Sequence, residues 1–170
     1  TGPVCSTYKI NLENNLNASD VTDKLSLLAS EKILDDVDDI LNDKANFIDQ
    51  DHSKATYASK IQKAEGEINW KNNAKNIIGK INGLHPVPGA YFIYRGERYK
   101  ILKAEIGSGI GKLGEVISDY LEIACGDNQS IKIKEIQRQG KKPQNIGEFM
   151  LGSQIKKGII IQNVQISVVD

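Results

Sequence analysis

Two rhythms of apolar and polar positions run along this chain, and the change from one to the other falls near Gly89. Before it the spacing is helical. Val21, Leu25, Leu28, Ile33 or Leu34, Val37 and Leu41 recur every three or four residues, which predicts an amphipathic helix opening at Ser19, with Asp20 and Asp23 in its first turn. Asp35, Asp36, Asp38, Asp39 and Asp43 crowd its far end, where negative charge opposes the helix dipole. The helix is therefore expected to stop near Asn42, with the acidic run as a solvated face. A short strand-like run, Val4 to Ile10, precedes it. Farther on, Asn69 reads as the N-cap of a second helix with Trp70, Ala74, Ile77, Ile78, Ile81 and Leu84 on its inner face; Gly83, Pro86 and Pro88 end it.

Beyond Gly89 the runs are short, β-branched or aromatic, and separated by Gly, Asp and Asn turns. Tyr91 to Tyr94, Arg98 to Ile106, Glu115 to Ile117, Tyr120 to Cys125 and Ile131 to Gln137 predict about five strands. A short helix around Ile146 to Leu151 follows. So many short strands in so few residues predict a small OB-like barrel, because closure removes exposed edges. One strand and one helix cannot bury their own apolar face, so the first segment reads as the closing piece of a larger Rossmann-like α/β domain whose other strands lie upstream of Thr1. The expected organisation is α+β: residues 1–45 as that piece, a linker over 46–54, and a barrel with a preceding helix over 55–170.

Charge sharpens the division. Residues 1–50 hold 4 lysines against 10 acidic residues, whereas residues 51–170 hold 18 basic against 12 acidic, so a formal total of zero hides −6 and +6. The basic half is compatible with nucleic acid, and equally with an ordinary lysine-rich surface. Only 3 of the 22 basic residues are arginine, a bias that fits an AT-rich coding genome and weakens any argument from bidentate arginine recognition. No apolar run approaches a membrane span, and the start of the chain lacks the layout of a signal peptide. Cys5 and Cys125 stand far apart without CxxC spacing and read as small buried hydrophobes in a reducing cytoplasm.

Candidate chemistry is sparse. Gly107 to Gly114, GSGIGKLG, contains a GxGxxG spacing, but the residues after it alternate like a strand, whereas a dinucleotide fingerprint must open a helix; a hairpin loop is expected. His52 and His85 have no metal-ligand neighbours, and no nucleophile is spaced from a base. Trp70 reads as core. The remaining signal is lysine. Lys132, Lys134 and Arg138 share parity, so an unbroken strand would project all three from one face and Ile131, Ile133 and Gln137 from the other, with Lys141 and Lys142 at its end. That stripe suits a phosphate backbone, and it also suits the wet face of any strand.

TYASKIQKAEGEINW at Thr56 to Trp70, GLHPVPGAYF at Gly83 to Phe92, GERYKILKAE, the ACGD turn at Ala124 to Asp127, and GKKPQNIGEFMLG at Gly140 to Gly152 follow one another in an order that resembles the methionyl-tRNA formyltransferase family, over about residues 1 to 158. His85 and Val87 depart from the family's usual Asn and Trp, and the tail Ile159 to Asp170 has no counterpart in that pattern. The resemblance implies a parent enzyme that moves a formyl group from 10-formyltetrahydrofolate to methionyl initiator tRNA. It implies an Asn-His-Asp catalytic set whose Asp precedes a Thr-Gly pair; since the chain opens Thr1-Gly2-Pro3, the whole set is expected upstream of Thr1, with no catalytic residue and no bound cofactor here. The tRNA contacts it implies are Lys60 and Lys63, then Lys141 and Lys142, with Lys132, Lys134 and Arg138 as the stripe. The expected setting is a monomer in the bacterial cytoplasm, engaging neither DNA nor membrane. Another formyltransferase with the same second domain, acting on a nucleotide sugar or linked to folate, and a free-standing RNA-binding barrel are the alternatives.

Overall fold

The computed structural model describes residues 2–13 and 15–162, and it divides into two compact units, residues 1–60 and 61–170. In unit 1, helix α1 spans Ala18–Leu41. It opens one residue before the expected Ser19, because Asn17 is the cap: its side-chain oxygen accepts from the amides of Ser19 and Asp20 at 2.8 and 3.1 Å, and Asp20 returns the bond to the Asn17 amide at 3.0 Å. It ends at Asn42, with no basic residue in its last turn. The acidic run is not all solvated face: Asp36 accepts from Ser6 Oγ and Tyr8 OH, both at 2.7 Å. No residue of α1 is buried, so Leu34 and Leu41 remain largely exposed. The expected strand Val4 to Ile10 shrinks to one bridge, Val4 with Ile48. A lone strand has no ladder for its amides, and Ile48, expected in the linker, supplies the single rung.

Unit 2 starts from a 3-10 turn, Lys63–Gly66, held by the Lys80 ammonium on the carbonyls of Glu65 and Glu67 at 2.8 and 3.0 Å. Asn69 is not the N-cap. It closes a turn on itself, accepting from the Lys71 amide, and Asn73 caps helix α2, Ala74–Gly83, four residues later. The spacing of Ala74, Ile77 and Ile81 is periodic enough to announce the helix, but Trp70 belongs to the turn in front of it.

Five strands follow: β1 Ala90–Tyr94, β2 Glu97–Gly107, β3 Glu122–Cys125, β4 Gln129–Arg138 and β5 Gln144–Asn145; helix α3, Ile146–Gly152, comes last. The sheet is antiparallel in the order β1-β2-β4-β3, with β5 also on β4. It is open: β1 and β3 are not paired to one another, so the closed barrel expected from strand count does not form among the described residues. Helix α2 packs across β2 and β4 and buries one face of the open sheet. The tight β1–β2 turn is Arg95-Gly96, both residues at positive φ, the geometry that matches strand twist.

Gly107 to Gly114 is a loop, but not a hairpin. β4 lies between β2 and β3, so the loop crosses over it. The amide of Gly109 donates to Glu122 Oε1 at 2.9 Å and Ser130 Oγ at 3.0 Å, and the Ser130 hydroxyl donates to the same carboxylate oxygen at 2.6 Å. A Cβ at Gly107 would collide with Glu122 and Ser130, which is why glycine stands there. Burial pushes the Glu122 carboxyl up, but the Ser130 hydroxyl and the Gly109 and Ser108 amides outweigh it, leaving the group below its ordinary value. The tail contributes as well: the Ile161 amide donates to the Gly114 carbonyl at 2.8 Å, the Val116 amide donates to the Ile159 carbonyl, and Ile161 is buried. Residues 163–170 of that tail lie outside the described residues.

The core joins Ile77 and Ile81 of α2 to Ile101, Ile131, Ile133 and Ile136 of the sheet, and each such side chain contributes roughly 1.5–3 kcal/mol of burial. An aromatic series crosses it, Trp70 to Phe92 at 6.1 Å, Phe92 stacked on Tyr99 at 5.4 Å, and Tyr99 edge-on to Phe149 at 5.9 Å. Among the described residues no helix is long and apolar enough to cross a membrane, and no cluster of three or more His, Cys, Asp or Glu could hold a metal.

Ser130 is fully buried and ties the glycine loop to the sheet, so Ser130→Ala should destabilise the chain by about 1–3 kcal/mol in urea unfolding and speed exchange of the Gly109 amide. An unchanged midpoint with a still-protected Gly109 amide would refute that role.

Candidate nucleic-acid interface

The seven basic residues to which the sequence points do not form one stripe. β4 breaks its alternation: its buried positions are Ser130, Ile131 and Ile133, and then Ile136, three residues on. The pairing with β2 slips twice, once past Leu102 and once past Lys134. These two bulges change the face of everything after them. Lys132 and Lys134 stay on the outer face, and Arg138 falls in step with Ile136. The expectation that all three share a face is therefore overturned, and the cause is a break that parity counting assumes away.

The outer pair is charge-compensated. Lys134 meets Glu105 at 2.7 Å, and Lys132 stands between Glu105 on β2 and Glu122 on β3 in the register. Lys60 lies in unit 1 and Lys63 opens the 3-10 turn of unit 2; both are exposed.

Arg138, Lys141 and Lys142 do come together. With Arg95, Glu97, Tyr99 and Phe149 they line a cleft of about 640 Å³ between the β1–β2 turn, the end of β4 and α3. Here Arg138 grips Glu97 with a two-pronged fork, Nε and one terminal nitrogen each 2.6 Å from a carboxylate oxygen. Tyr99 OH donates to the same carboxylate at 3.0 Å. Arg95 reaches Gln154 at 2.6 Å and lies 5.3 Å from the centre of the Tyr94 ring. Arg98, which alternates with Glu97 and Tyr99 along β2 and does not line the cleft, lies 4.3 Å over Tyr91.

Sequence reasoning missed Arg95, Arg98, Glu97 and Gln154. The signal was present but read as genome bias: all three arginines of the chain stand at this one end of the sheet. Lysine serves elsewhere; here each guanidinium is used for what an ammonium does poorly, a planar fork or a stack on a tyrosine face. Four cations, Arg95, Arg138, Lys141 and Lys142, face two carboxylates, Glu97 and Glu148, so the cleft is net positive. Its cations suit a phosphate. No candidate for covalent catalysis lies there. Burial pushes the Cys125 thiol up to about 11, so it is not a nucleophile at neutral pH.

The family profile described as "Formyl transferase, C-terminal domain" matches residues 60–154. The chain belongs to that family. Among named relatives it is 62% identical over 164 residues to the methionyl-tRNA formyltransferase of Pelagibacter ubique (strain HTCC1062), covering 96% of this chain and 53% of that protein. It is 38% identical over 167 residues to the methionyl-tRNA formyltransferase of Rickettsia prowazekii (strain Madrid E), covering 95% of this chain and 53% of that protein. The chain thus spans about half the length of the curated relatives it matches. A crystal structure of a HypX variant from Aquifex aeolicus shares the fold, at a TM-score of 0.61 and 17% identity, over 84% of this chain and 28% of that one. HypX from the same organism in complex with tetrahydrofolic acid superposes at 0.56 and 16% identity, over 72% and 23%.

The Arg138 fork and the Tyr99 hydroxyl hold the Glu97 carboxyl below its ordinary value of 4.5. A carboxyl lowered on folding contributes stability above that value and loses it as pH falls through the lowered one. Carbon-detected NMR titration should therefore give Glu97 a midpoint below 4.5, and Arg138→Lys, which cannot form the fork, should move it up toward 4.5. A midpoint that ignores the substitution would show the fork to be absent in solution.

Proposed function

We propose that this chain is the carboxy-terminal part of a methionyl-tRNA formyltransferase and that unit 2 holds the tRNA at its arginine end. The observation that carries the reading is the gathering of Arg95, Arg98, Arg138, Lys141 and Lys142 at one end of the sheet, in a chain 62% identical to a methionyl-tRNA formyltransferase. Lys60 and Lys63 are further contacts in this reading. Lys132 and Lys134 rank below them, since their neighbours Glu105 and Glu122 already offset their charge.

In the whole protein the donor is 10-formyltetrahydrofolate. The methionyl amino nitrogen attacks the formyl carbon, the bond from that carbon to the donor nitrogen breaks, and the amine proton leaves with tetrahydrofolate as the second product. In this reading the chain acts on the tRNA side of the reaction. Its part is positional: cations on the phosphates set where the acceptor end of the tRNA lies relative to the catalytic set. Residues 1–45, a helix with one bridge in place of a strand, are the closing piece of the catalytic domain in this reading; the exposed apolar stripe of α1, which buries nothing, supports that placement. The reaction belongs in the bacterial cytoplasm, with a monomeric enzyme that engages neither DNA nor membrane.

Filter binding of this chain to initiator tRNA across a series of salt concentrations tests the reading. Affinity should fall steeply with salt, and the double substitution Lys141→Ala with Lys142→Ala should lower the slope by roughly 1–2. Lys134→Ala should change affinity less than ~2-fold, because a surface ion pair already occupies that ammonium. Salt-independent binding, or Lys134→Ala as damaging as the double substitution, would overturn it.

A further inference from the structure

By charge alone, a carboxylate is out of place in a cleft that is to hold a phosphate. Glu97 stands among Arg95, Arg138, Lys141 and Lys142, where it repels the anion that they attract. Its contacts give it a different use. In the β2–β4 register Tyr99 is paired directly with Arg138, and Glu97 lies two residues before Tyr99 on the same face of β2. The Tyr99 ring is buried, stacked on Phe92 and edge-on to Phe149, so its hydroxyl is a fixed point. That hydroxyl donates to Glu97 Oε2 at 3.0 Å. The constraint therefore runs outward from the core, from ring to carboxylate and from carboxylate to guanidinium.

The grip on Arg138 uses one edge of the guanidinium. Nε donates to Glu97 Oε2 and Nη2 to Oε1, each at 2.6 Å. A guanidinium carries a second fork, made by its two terminal nitrogens, and that edge stays open here. Nη1 donates to no protein atom among the described residues, and the side chain is 46% exposed. The Lys134–Glu105 pair has no such second edge, because an ammonium is a point charge. Lys141 follows by a tight turn, its amide donating to the Arg138 carbonyl at 3.0 Å and its carbonyl accepting from the Gln137 side chain at 2.8 Å. A second cation beside the clamp is thus fixed at its backbone and mobile at its tip.

We propose that Glu97, anchored by Tyr99, is a positioning residue: it holds Arg138 by one edge so that the other edge takes two oxygens of one backbone phosphate of the bound RNA, with Lys141 as the neighbouring charge. The proposal rests on the tRNA-holding reading for the source of the phosphate, and on the Tyr99–Glu97–Arg138 geometry for the clamp. A guanidinium already fixed in its bound orientation loses little freedom when the anion arrives, and that saving exceeds the repulsion from the carboxylate behind it. The clamp sets the register of the RNA on unit 2, where mobile lysines would only add affinity.

The charge of Glu97 and its grip on Arg138 predict opposite signs for one substitution. Glu97→Gln removes a negative charge, yet in filter binding of the 170-residue chain to initiator tRNA it should weaken affinity ~5-fold, and Tyr99→Phe, which keeps the ring, ~2-fold. Arg138→Ala should weaken it ~10-fold, and adding Glu97→Gln to Arg138→Ala should cost nothing more or restore part of the loss, since the carboxylate then only repels. Tighter binding by Glu97→Gln alone, or losses that simply multiply in the double variant, would overturn the proposal and leave the tRNA-holding reading in place. A second arm titrates the same chains with inorganic phosphate and follows the Arg138 Nε–H resonance by NMR. Phosphate should shift that resonance in the unaltered chain. Glu97→Gln should broaden it and weaken the phosphate response while the amides of Ile131 and Ile133 keep their shifts, which separates a lost clamp from a lost fold. A phosphate response at Arg138 with no affinity for tRNA would sink the reading and keep the clamp. An Nε–H resonance blind to phosphate would sink the clamp.

Discussion

The arrangement of unit 2 depends on a three-residue step in one strand, from Ile133 to Ile136 in β4. β4 is the hub of the sheet, bonded to β2, β3 and β5, so a change of phase within it is felt on every side. Strict alternation would put Ile136 in water and leave a gap in the core. Two bulges, one on each partner of the β2–β4 pair, let the strand bury both isoleucines. The cost is local ladder irregularity, and the compensation is burial worth roughly 1.5–3 kcal/mol for the second isoleucine. A geometric by-product matters for function. The step carries Arg138 to the side where Tyr99, Glu97 and α3 stand, and leaves Lys132 and Lys134 among acids on the other.

Much of the fold was legible from spacing. The helices announced themselves by period, and four of the five strands of unit 2 by short β-branched runs between turn residues, because both patterns report which face must leave water; Glu115 to Ile117 was expected as a strand and makes only isolated bridges, and the two-residue β5 was not expected. What was not legible has specific causes. Asn69 and Asn73 are both good capping residues, and only the turn that Asn69 closes with Lys71 decides between them. Val4 to Ile10 has strand composition, but strand composition does not supply a partner. Closure of the sheet depends on whether β1 reaches β3, a long-range relation no local pattern contains. The tail was blank as a motif, yet Ile161 enters the core against Gly114.

The candidate interface was half legible. Lys141 and Lys142 stood out as a basic pair, and the cleft includes them. Arg138 was named for the wrong reason, as one member of a stripe, since parity arguments fail at bulges. The arginines themselves were discounted because a compositional bias explains why there are few; it does not explain where the few are kept. Position carried the information that frequency had masked.

Every residue from Asn46 to Glu65 is exposed, a stretch that crosses the division between the two units. Such a segment contributes no side chain to either core, so its length is nearly free of thermodynamic constraint: doubling it costs only about 0.6 kcal/mol of loop-closure entropy. Evolution can therefore lengthen, shorten or recut the chain here without repacking either unit, and the all-exposed stretch makes unit 2 a portable cassette.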